Sequence, residues 1–334
     1  LCGDWMSHPF WRAQFVLKGE GDLRRIVEAG IPHVYIDTTR GLDDVEAVAA
    51  DQVKAAVEQE ILEALSAPQE PIVRVSVREE LARAKRVHEQ AHKVIRSMMC
   101  DVRLGKAVSL DDAEPVVEAI TGSVLRNGGA LMGLIGIKNK DDYTFLHSVS
   151  VCTLMIAFGR SLGLDGEELR QGGIGGLLHD IGKMKVPDEV LNKPGRLTDA
   201  EFDLIKQHPG DGHAVLLETP GIGAIPLDIT RHHHERLDGK GYPDGLAGDS
   251  ISSMARMAAI VDVYDAITAD RCYHKGMPAA EALRKMWEWS KDHFDQKLLQ
   301  AFMRCVGIYP VGSLVRLESG RLGVVIEQNE GSLL

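Results

Sequence analysis

The chain has 334 residues, of which 44% are hydrophobic and 26% charged, and its formal net charge is −11. This length suits one large and one smaller domain, and the composition is typical of a soluble globular protein. The acidic balance disfavours tracking along long nucleic acid, which needs clustered lysine and arginine, although bound cations would let an acidic protein bind a small phosphorylated ligand.

The sequence carries no expected membrane or secretory feature. The longest apolar runs, 130–137 and 149–159, are too short to span a bilayer, and residues 1–10 lack the basic-then-apolar order of a signal peptide. Five scattered cysteines with no C-x-x-C pair argue against a disulfide framework or a thiolate zinc site. We therefore expect a cytoplasmic protein without a membrane anchor.

The predicted elements change character twice along the chain. Residues 1–66 predict a small α+β domain with a linker helix, residues 77–310 an all-α domain, and residues 311–334 a β-hairpin. The fold class is therefore mainly α. Thr198 and Glu201 fit a capping box, and Pro226 suits the first turn of a helix. The predicted helices span about 79–101, 111–127, 130–138, 144–162, 166–183, 199–208, 211–218, 223–233, 253–270, 279–292 and 295–305.

Histidines and carboxylates in the all-α region are the candidate functional residues. Adjacent His179 and Asp180 would point about 100° apart near the end of a glycine-rich helix, with Lys183 on the histidine's face. Each candidate also has a structural interpretation: His147 is compatible with a core histidine, and His208, which precedes a proline, could close a helix. A carboxylate such as Asp262 on an apolar helix costs several kcal/mol unless it is paired or metal-bound.

Taken together, these donors favour a metal site. They comprise imidazoles and carboxylates without thiolates, and they number more than one ion needs. Two ions about 3.5–4 Å apart would use all of them if Asp180 bridged the pair. Such ligands favour iron, manganese, zinc, nickel or magnesium. The seven candidates are His147, His179, Asp180, His208, His233, His234 and Asp262.

The order of these residues resembles the HD-GYP family, a bacterial branch of the HD phosphohydrolases that hydrolyses cyclic di-GMP. The resemblance covers residues from about 77 to 310, and residues 1–41 look like the small N-terminal domain that often precedes this catalytic domain. The motifs that carry it are D-D-Y-T-F-L-H-S at 141–148, H-D-I-G-K at 179–183, H-P at 208–209, H-H-E-R-L-D-G-K-G-Y-P at 233–243 and D-V-Y-D-A-I-T-A-D-R at 262–271.

The resemblance implies a metal-dependent phosphodiesterase. A hydroxide shared by two ions would open cyclic di-GMP to linear pGpG, with further cleavage to GMP permitted. The seven donors above would be the metal ligands, with iron or manganese expected most and nickel, magnesium or zinc compatible. Asp180 and Lys183 would be catalytic, and Lys183 would contact the scissile phosphate. Arg271, Asp265 and His274 would join Lys183 in substrate binding.

Three positions distinguish this chain from the family it resembles. Counting back from Gly241-Tyr242-Pro243 aligns the family's His-His-Glu with residues 233–235, so His232 is extra and is not expected to bind metal. Tyr143 stands where some relatives carry a glutamate that holds a third ion, so we expect two ions. His274 stands where many relatives have arginine or lysine.

The loop around Gly241, Tyr242 and Pro243 has two interpretations. It could shape the turn that aims His233 and His234, or it could present a surface to a partner. In this family the segment is associated with binding cyclic di-GMP synthases, known as GGDEF proteins. A homodimer is compatible with the sequence. The alternative functions are a catalytically weak protein that binds metal and cyclic di-GMP, and another HD-type nucleotide phosphohydrolase.

Overall fold

The computed structural model describes residues 74–135, 143–191, 193, 195–269 and 276–327, together with Gly21 and Arg24. Apart from Gly21 and Arg24, the predicted N-terminal α+β domain therefore lies outside the described residues. The chain divides into two compact units, Leu1–Gln69 and Glu70–Leu334, and the named helices and strands belong to the second. The separation of residues 77–310 from 311–334 as domains stays a prediction.

The second unit is mainly helical, as predicted. Two short 3-10 segments, Ile181–Lys185 and Gly248–Ser250, interrupt the order of α-helices. Within the described residues, no helix combines the length and apolarity needed to cross a membrane. The α-helices are α1 (Val77–Arg103), α2 (Leu110–Ile135), α3 (Tyr143–Ser161), α4 (Gly166–Leu178), α5 (Asp188–Leu191), α6 (Asp199–Ile205), α7 (His208–Leu217), α8 (Ala224–His232), α9 (Ser253–Thr268), α10 (Ala279–Trp289) and α11 (Gln296–Val306).

The predicted hairpin and helix-start signals are confirmed. Strands β1 (Leu314–Arg316) and β2 (Leu322–Val324) pair antiparallel, with Leu314 opposite Val324. Thr198 and Glu201 form a reciprocal capping box at the start of α6. Pro226 lies in the first turn of α8, where its missing N–H costs no hydrogen bond.

Helix α3 lies at the centre of the unit because it is apolar on all sides. Val149, Cys152 and Ile156 pack into a core formed with α1, α2 and α4, while Val151 and Phe158 join a second core formed with α9, α10 and α11. A helix that is hydrophobic all round is a buried one. The first turns of α3, which carry His147, are thereby held between the two cores.

Helix α2 bends where two separate helices were predicted. Asn127 has φ −164° and ψ 98°, a non-helical conformation that separates two helical stretches at the predicted place. Broken helical geometry leaves carbonyl groups without an intrahelical donor. Arg160 of α3 donates from Nη1 to the carbonyl of Val124 at 3.0 Å, and Asn127 Nδ2 donates to the carbonyl of Val75 at 2.9 Å. These side-chain hydrogen bonds stabilise the bend.

The prediction of one helix over 166–183 was wrong. Helix α4 ends at Leu178, residues 179 and 180 form a turn, and a 3-10 segment follows. His179 bonds through Nδ1 to the carbonyl of Gly176, and Lys183 N donates to the carbonyl of Asp180 three residues earlier. Local side-chain bonding of this kind competes with helix continuation. Lys183 consequently lies against Asp180 and does not share a helical face with His179.

His208 begins a helix, so the interpretation that it closes one was wrong. The preceding helix α6 ends at Ile205, and Pro209 sits in the first turn of α7. Proline disfavours helical geometry in the residue before it, but within the first helical turn it is tolerated. His208 is fully buried as a result.

Gly182 permits the close approach that brings His208 to the turn at 179–180. A Cβ atom at position 182 would lie 2.0 Å from the carbonyl oxygen of His208 and 2.4 Å from the backbone nitrogen of Gly212. Both are backbone atoms, which cannot rotate away as a side chain can. The 3-10 segment and α7 therefore pack at a distance that only glycine allows.

A buried ion pair joins α1 to α2. Glu80 is fully buried, and its carboxylate accepts hydrogen bonds from Ser123 Oγ at 2.9 Å and from Arg126 Nε and Nη2, both at 2.8 Å. Burial raises the pKa of Glu80, but the hydrogen bonds from Arg126 and Ser123 outweigh it and leave the pKa below its usual value. Arg83 lies 4.0 Å away and is 58% exposed.

We predict that Arg126→Ala lowers the free energy of unfolding by about 2–4 kcal/mol, because it leaves a buried carboxylate without its guanidinium. Urea unfolding of the full chain measures this. Arg83→Ala is the control and should cost less than about 1 kcal/mol. Since the folded-state pKa of Glu80 is depressed, its stabilisation should be present above pH about 4.3 and fall as the pH drops through the folded value. Equal losses for the two variants would contradict this assignment.

We predict that Gly182→Ala destabilises the fold by about 3 kcal/mol, because the added methyl group collides with two backbone atoms. The matched control is Gly210→Ala in α7, where a Cβ would meet no atom within 4 Å. That control should be neutral or stabilising by up to about 1 kcal/mol. Thermal and urea unfolding of both variants provide the comparison, and a stable Gly182→Ala protein would rule out the close approach.

Candidate metal centre

The structure brings all seven predicted donors to one place. They come from α3, the turn after α4, the start of α7, the end of α8 and the middle of α9. Their ligand atoms form three overlapping groups, and within each group the atoms lie within 4.8 Å of one another. The groups are His147 with His179 and Asp262, His208 with His233 and His234, and His179 with Asp180 and His233.

Asp180 occupies the centre of this arrangement. Its Oδ2 lies 3.6 Å from His147 Nε2 and 3.4 Å from His179 Nε2. Its Oδ1 lies 3.3 Å from His208 Nε2 and 3.9 Å from His233 Nε2. One carboxylate oxygen thus faces each half of the cluster, so that the side chain spans both.

Backbone carbonyls orient three of the histidines through Nδ1. A carbonyl oxygen only accepts, so Nδ1 carries the hydrogen and Nε2 of the neutral ring keeps its lone pair for the cluster. Orientation of this kind is typical of metal-binding histidines. The bonds run from His179 to Gly176 (2.9 Å), from His208 to Ile205 (2.7 Å) and from His233 to Thr230 (3.0 Å).

The second half of the cluster has an excess of acceptors. His208 Nε2 and His233 Nε2 are 3.3 Å apart, and in the neutral rings both present lone pairs. Asp180 Oδ1 is buried beside them and has no hydrogen-bond partner among the described residues. Burial lowers the pKa of His233 well below its ordinary value and that of His234 to about 3, so neither ring supplies a positive charge. A divalent cation would satisfy these acceptors, and the residues present therefore fit one.

The first half of the cluster contains a histidine between carboxylates. His147 Nε2 lies 2.9 Å from Asp262 Oδ1, and Nδ1 lies 2.6 Å from Asp265 Oδ2. Burial lowers the pKa of His147, but its hydrogen bonds with Asp262 and Asp265 outweigh burial and raise it. Burial likewise raises the pKa of Asp262, while its bonds to His147 and His179 bring it well below normal. Asp265 is buried and contacts the far side of the His147 ring.

Lys183 places an ammonium group at the edge of the cluster. Its Nζ lies 2.5 Å from Asp180 Oδ2, and the side chain keeps 22% of its surface exposed. Burial raises the pKa of Asp180, but the charge of Lys183 and the neighbouring His179 and His208 rings hold it well below the usual range. Asp180 is therefore ionised, with a cation beside it that solvent can still reach.

The structure describes only some of the other residues considered for the site. Arg271 and His274 lie outside the described residues. Both ring nitrogens of His232 contact carboxylates away from the cluster, Nδ1 with Asp228 at 2.7 Å and Nε2 with Asp244 at 3.1 Å. The His232 ring therefore contacts carboxylates outside the cluster, although the two residues that follow it belong to the cluster.

Glu235 is a functional candidate that the sequence reasoning missed. It is buried, and its carboxylate accepts backbone hydrogen bonds from Asp244 (2.7 Å), Gly245 (3.1 Å) and Leu246 (2.9 Å). A charged residue directly after two candidate ligands and before a glycine-rich loop was the available signal. Its partners are backbone groups of the loop, which residue types alone do not reveal.

The loop that follows His234 is anchored at several further points. Leu237 N and Asp238 N donate to the carbonyls of residues 293 and 292. Arg256 of α9 donates to the carbonyls of Gly248 and Ile251, both at 2.9 Å. The same guanidinium lies 3.1 Å from Asp295, whose side chain caps the first turn of α11. These contacts hold the loop after His234 in a defined position beside the site.

Comparison with known proteins agrees with this geometry. The family model described as "HD domain" matches residues 137–298, and the one described as "Domain of unknown function (DUF3391)" matches residues 1–113. The chain is 50% identical over 335 residues to a Pseudomonas aeruginosa protein named cyclic di-GMP phosphodiesterase PA4108, covering 100% of this chain and 79% of that relative.

Two further comparisons are less extensive. The chain is 37% identical to the 3′3′-cGAMP-specific phosphodiesterase 1 of Vibrio cholerae, over 49% of this chain and 38% of that relative. Among solved structures, the HDG"Y"P protein Bd1817 from Bdellovibrio bacteriovorus aligns with a TM-score of 0.55 at 20% identity, covering 75% of this chain and 78% of that one. This last likeness concerns the fold. The whole-length identity and the matched HD domain show that the chain belongs to the HD-GYP family of HD phosphohydrolases.

Proposed function

We propose that this protein is a metal-dependent phosphodiesterase that hydrolyses cyclic di-GMP. The observation that carries the proposal is the convergence of six imidazole and carboxylate donors around Asp180, in two halves that each face one of its carboxylate oxygens. Half of the residues are identical to those of a relative named for this activity. The product is linear pGpG, and a second cleavage would yield GMP.

Two divalent ions fit the two halves of the cluster. His147, His179 and Asp262 would hold one, and His208, His233 and His234 the other, with Asp180 shared between them. Such ions lower the pKa of water and stabilise charge on phosphoryl oxygens. Nitrogen and carboxylate ligands without thiolates suit iron and manganese first, and also nickel, zinc or magnesium.

Lys183 supplies the protein's own positive charge to the reaction. Its partly exposed ammonium beside Asp180 is placed to contact a phosphoryl oxygen and to stabilise the charge that develops there. Water provides the new oxygen on phosphorus, the P–O3′ bond breaks, and the 3′ oxygen leaves as a hydroxyl group after taking up a proton. Asp180 stays ionised because the ammonium group of Lys183 lies beside it.

The remaining residues of the proposed substrate site are Arg271, His274 and Asp265. Arg271 and His274 would bind phosphate or base, as the family resemblance implies. The buried contact of Asp265 with His147 favours a role in orienting that histidine, so that Asp265 would act on substrate indirectly. We assign this indirect role to Asp265.

Location and partners complete the proposal. Free thiols at Cys100, Cys152 and Cys305 support a reducing cytoplasm. A GGDEF synthase would bind through residues 241–243, of which Pro243 is exposed. A homodimer is compatible with this arrangement.

A specific alternative substrate is 3′3′-cGAMP. It is favoured by the 37% identity with a phosphodiesterase named as specific for it. The two cyclic dinucleotides differ in one base, so the phosphodiester chemistry of the site suits both. The higher identity and coverage of the cyclic di-GMP relative decide in favour of cyclic di-GMP.

We predict that the Mn²⁺-loaded protein converts cyclic di-GMP to pGpG faster than it cleaves 3′3′-cGAMP. Asp180→Ala should reduce turnover by at least about 10³-fold, because it removes the carboxylate shared by both halves of the metal site. Chromatography of timed reactions measures both products, and circular dichroism verifies that the variant keeps its helices. Exposed Asp249→Asn is the control and should retain turnover. Hydrolysis that survives in Asp180→Ala would refute the scheme.

We predict that fully loaded protein contains two tightly bound metal ions per chain, since the donors form two groups around one bridging carboxylate. His234→Ala should bind less metal because it deletes a donor, whereas His232→Ala should bind two ions because its ring contacts Asp228 and Asp244 instead. Elemental analysis after removal of loosely bound metal gives the counts. Three tightly bound ions, or a loss in His232→Ala equal to that in His234→Ala, would contradict the assignment.

A further inference from the structure

His234 differs from its neighbours in how its ring is oriented. Three other histidines of the cluster are held by Nδ1 hydrogen bonds to backbone carbonyls, and His147 is held by Asp265. Within the described part of the chain, no hydrogen bond fixes a ring nitrogen of His234, and Asp262 Oδ2, at 3.8 Å from its Nδ1, is beyond hydrogen-bonding distance. Another contact must therefore set the angle of this ring.

Tyr242 provides such a contact, beside the rings of His233 and His208, whose centres lie 4.1 Å and 5.0 Å from that of His234. Its ring lies 4.7 Å from the His234 ring, centre to centre, with an angle of 33° between the planes. The two rings are tilted against each other, and a ring contact at this distance is attractive. Tyr242 thus covers His234 on the side that no hydrogen bond fixes.

The backbone holds Tyr242 in register with the histidine. Tyr242 N donates to the carbonyl of His234 at 3.2 Å. A Cβ at Gly241 would lie 2.5 Å from Arg236 N and 2.6 Å from the carbonyl oxygen of His234. The backbone at Gly241 therefore packs directly against the backbone of residues 234–236. Glycine is required there by this close approach.

Glu235 fixes the far side of the same turn. Three consecutive backbone N–H groups, those of Asp244, Gly245 and Leu246, point at its buried carboxylate. A concave set of N–H groups is a stable environment for an anion. Gly245 has φ +66°, the left-handed conformation that turns these groups towards one point. The residue next to His234 in sequence therefore clamps the chain that returns Tyr242 to His234.

We propose that Tyr242 and Glu235 are positioning residues for His234: the adjacent phenol sets the ring angle at which His234 binds metal, and the Glu235 carboxylate holds the phenol in place. This inference rests on the proposed metal-dependent function. It assigns the Gly-Tyr-Pro segment a role inside the protein, in ordering one ligand. Residues that orient a ligand from outside the coordination sphere typically contribute about 10–100-fold in metal affinity.

The test is a titration of metal-stripped full-length protein with Mn²⁺ by calorimetry, combined with turnover of cyclic di-GMP at varied Mn²⁺. Tyr242→Leu should bind Mn²⁺ about 10–100-fold more weakly at one site, and excess Mn²⁺ should restore much of its turnover. Tyr242→Phe keeps the ring and should bind Mn²⁺ much as the wild type does. Glu235→Gln, which turns an amide N–H₂ towards the loop's own donors, should weaken binding in the same direction as Tyr242→Leu.

Lys240→Ala is the matched control, since this side chain is 78% exposed in the same loop and lies away from His234. It should leave Mn²⁺ binding and turnover unchanged. If the wild type is active and both Tyr242→Leu and Glu235→Gln bind Mn²⁺ as tightly as it does, the positioning role is overturned. Failure of the wild-type protein itself to bind Mn²⁺ or to turn over substrate would instead refute the proposed function. Equal weakening by Tyr242→Phe and Tyr242→Leu would also overturn the role assigned to the ring contact.

Discussion

The buried carboxylate of Asp180 is the interaction on which the arrangement of the site depends. An ionised group in a dry environment is strongly disfavoured unless other groups compensate its charge. Here Lys183 lies beside one oxygen and histidine nitrogens approach both. The other elements can be understood as the means of bringing these partners in: the centrally packed α3 delivers His147, and the close approach at Gly182 delivers His208.

The site uses two kinds of support for its histidines. Where a histidine of the cluster lies at or beside a helix end, carbonyl groups that the helix leaves free are available to orient the ring, as at His179, His208 and His233. His234 follows the last helical turn, and the returning loop places the Tyr242 ring against it. A ring contact replaces the carbonyl at that position. Rigidity in the loop therefore matters to the site as much as rigidity in the helices.

The sequence was informative about helices, helix starts and donor types because these depend on local pattern and side-chain chemistry. It predicted the capping box at Thr198, the hairpin at 314–324 and the seven donors that converge. It failed at Leu178, where a histidine side chain bonds to the backbone and ends the helix, and at His208, where one proline is compatible with either end of a helix. The clamp by Glu235 could not be predicted, because its partners are backbone N–H groups that every residue except proline possesses.

Arg256 connects the loop to the core in a way that limits how the site can vary. Its helix, α9, also carries Asp262 and Asp265, while its guanidinium binds loop carbonyls and the aspartate that caps α11. The loop's position is thus tied to the helix that presents a cluster carboxylate and to a helix remote in sequence. A loop from a relative, transplanted as residues 237–251 alone, would arrive without the arginine and the cap that shape it. Exchange between family members would have to move α9 and the start of α11 together with the loop.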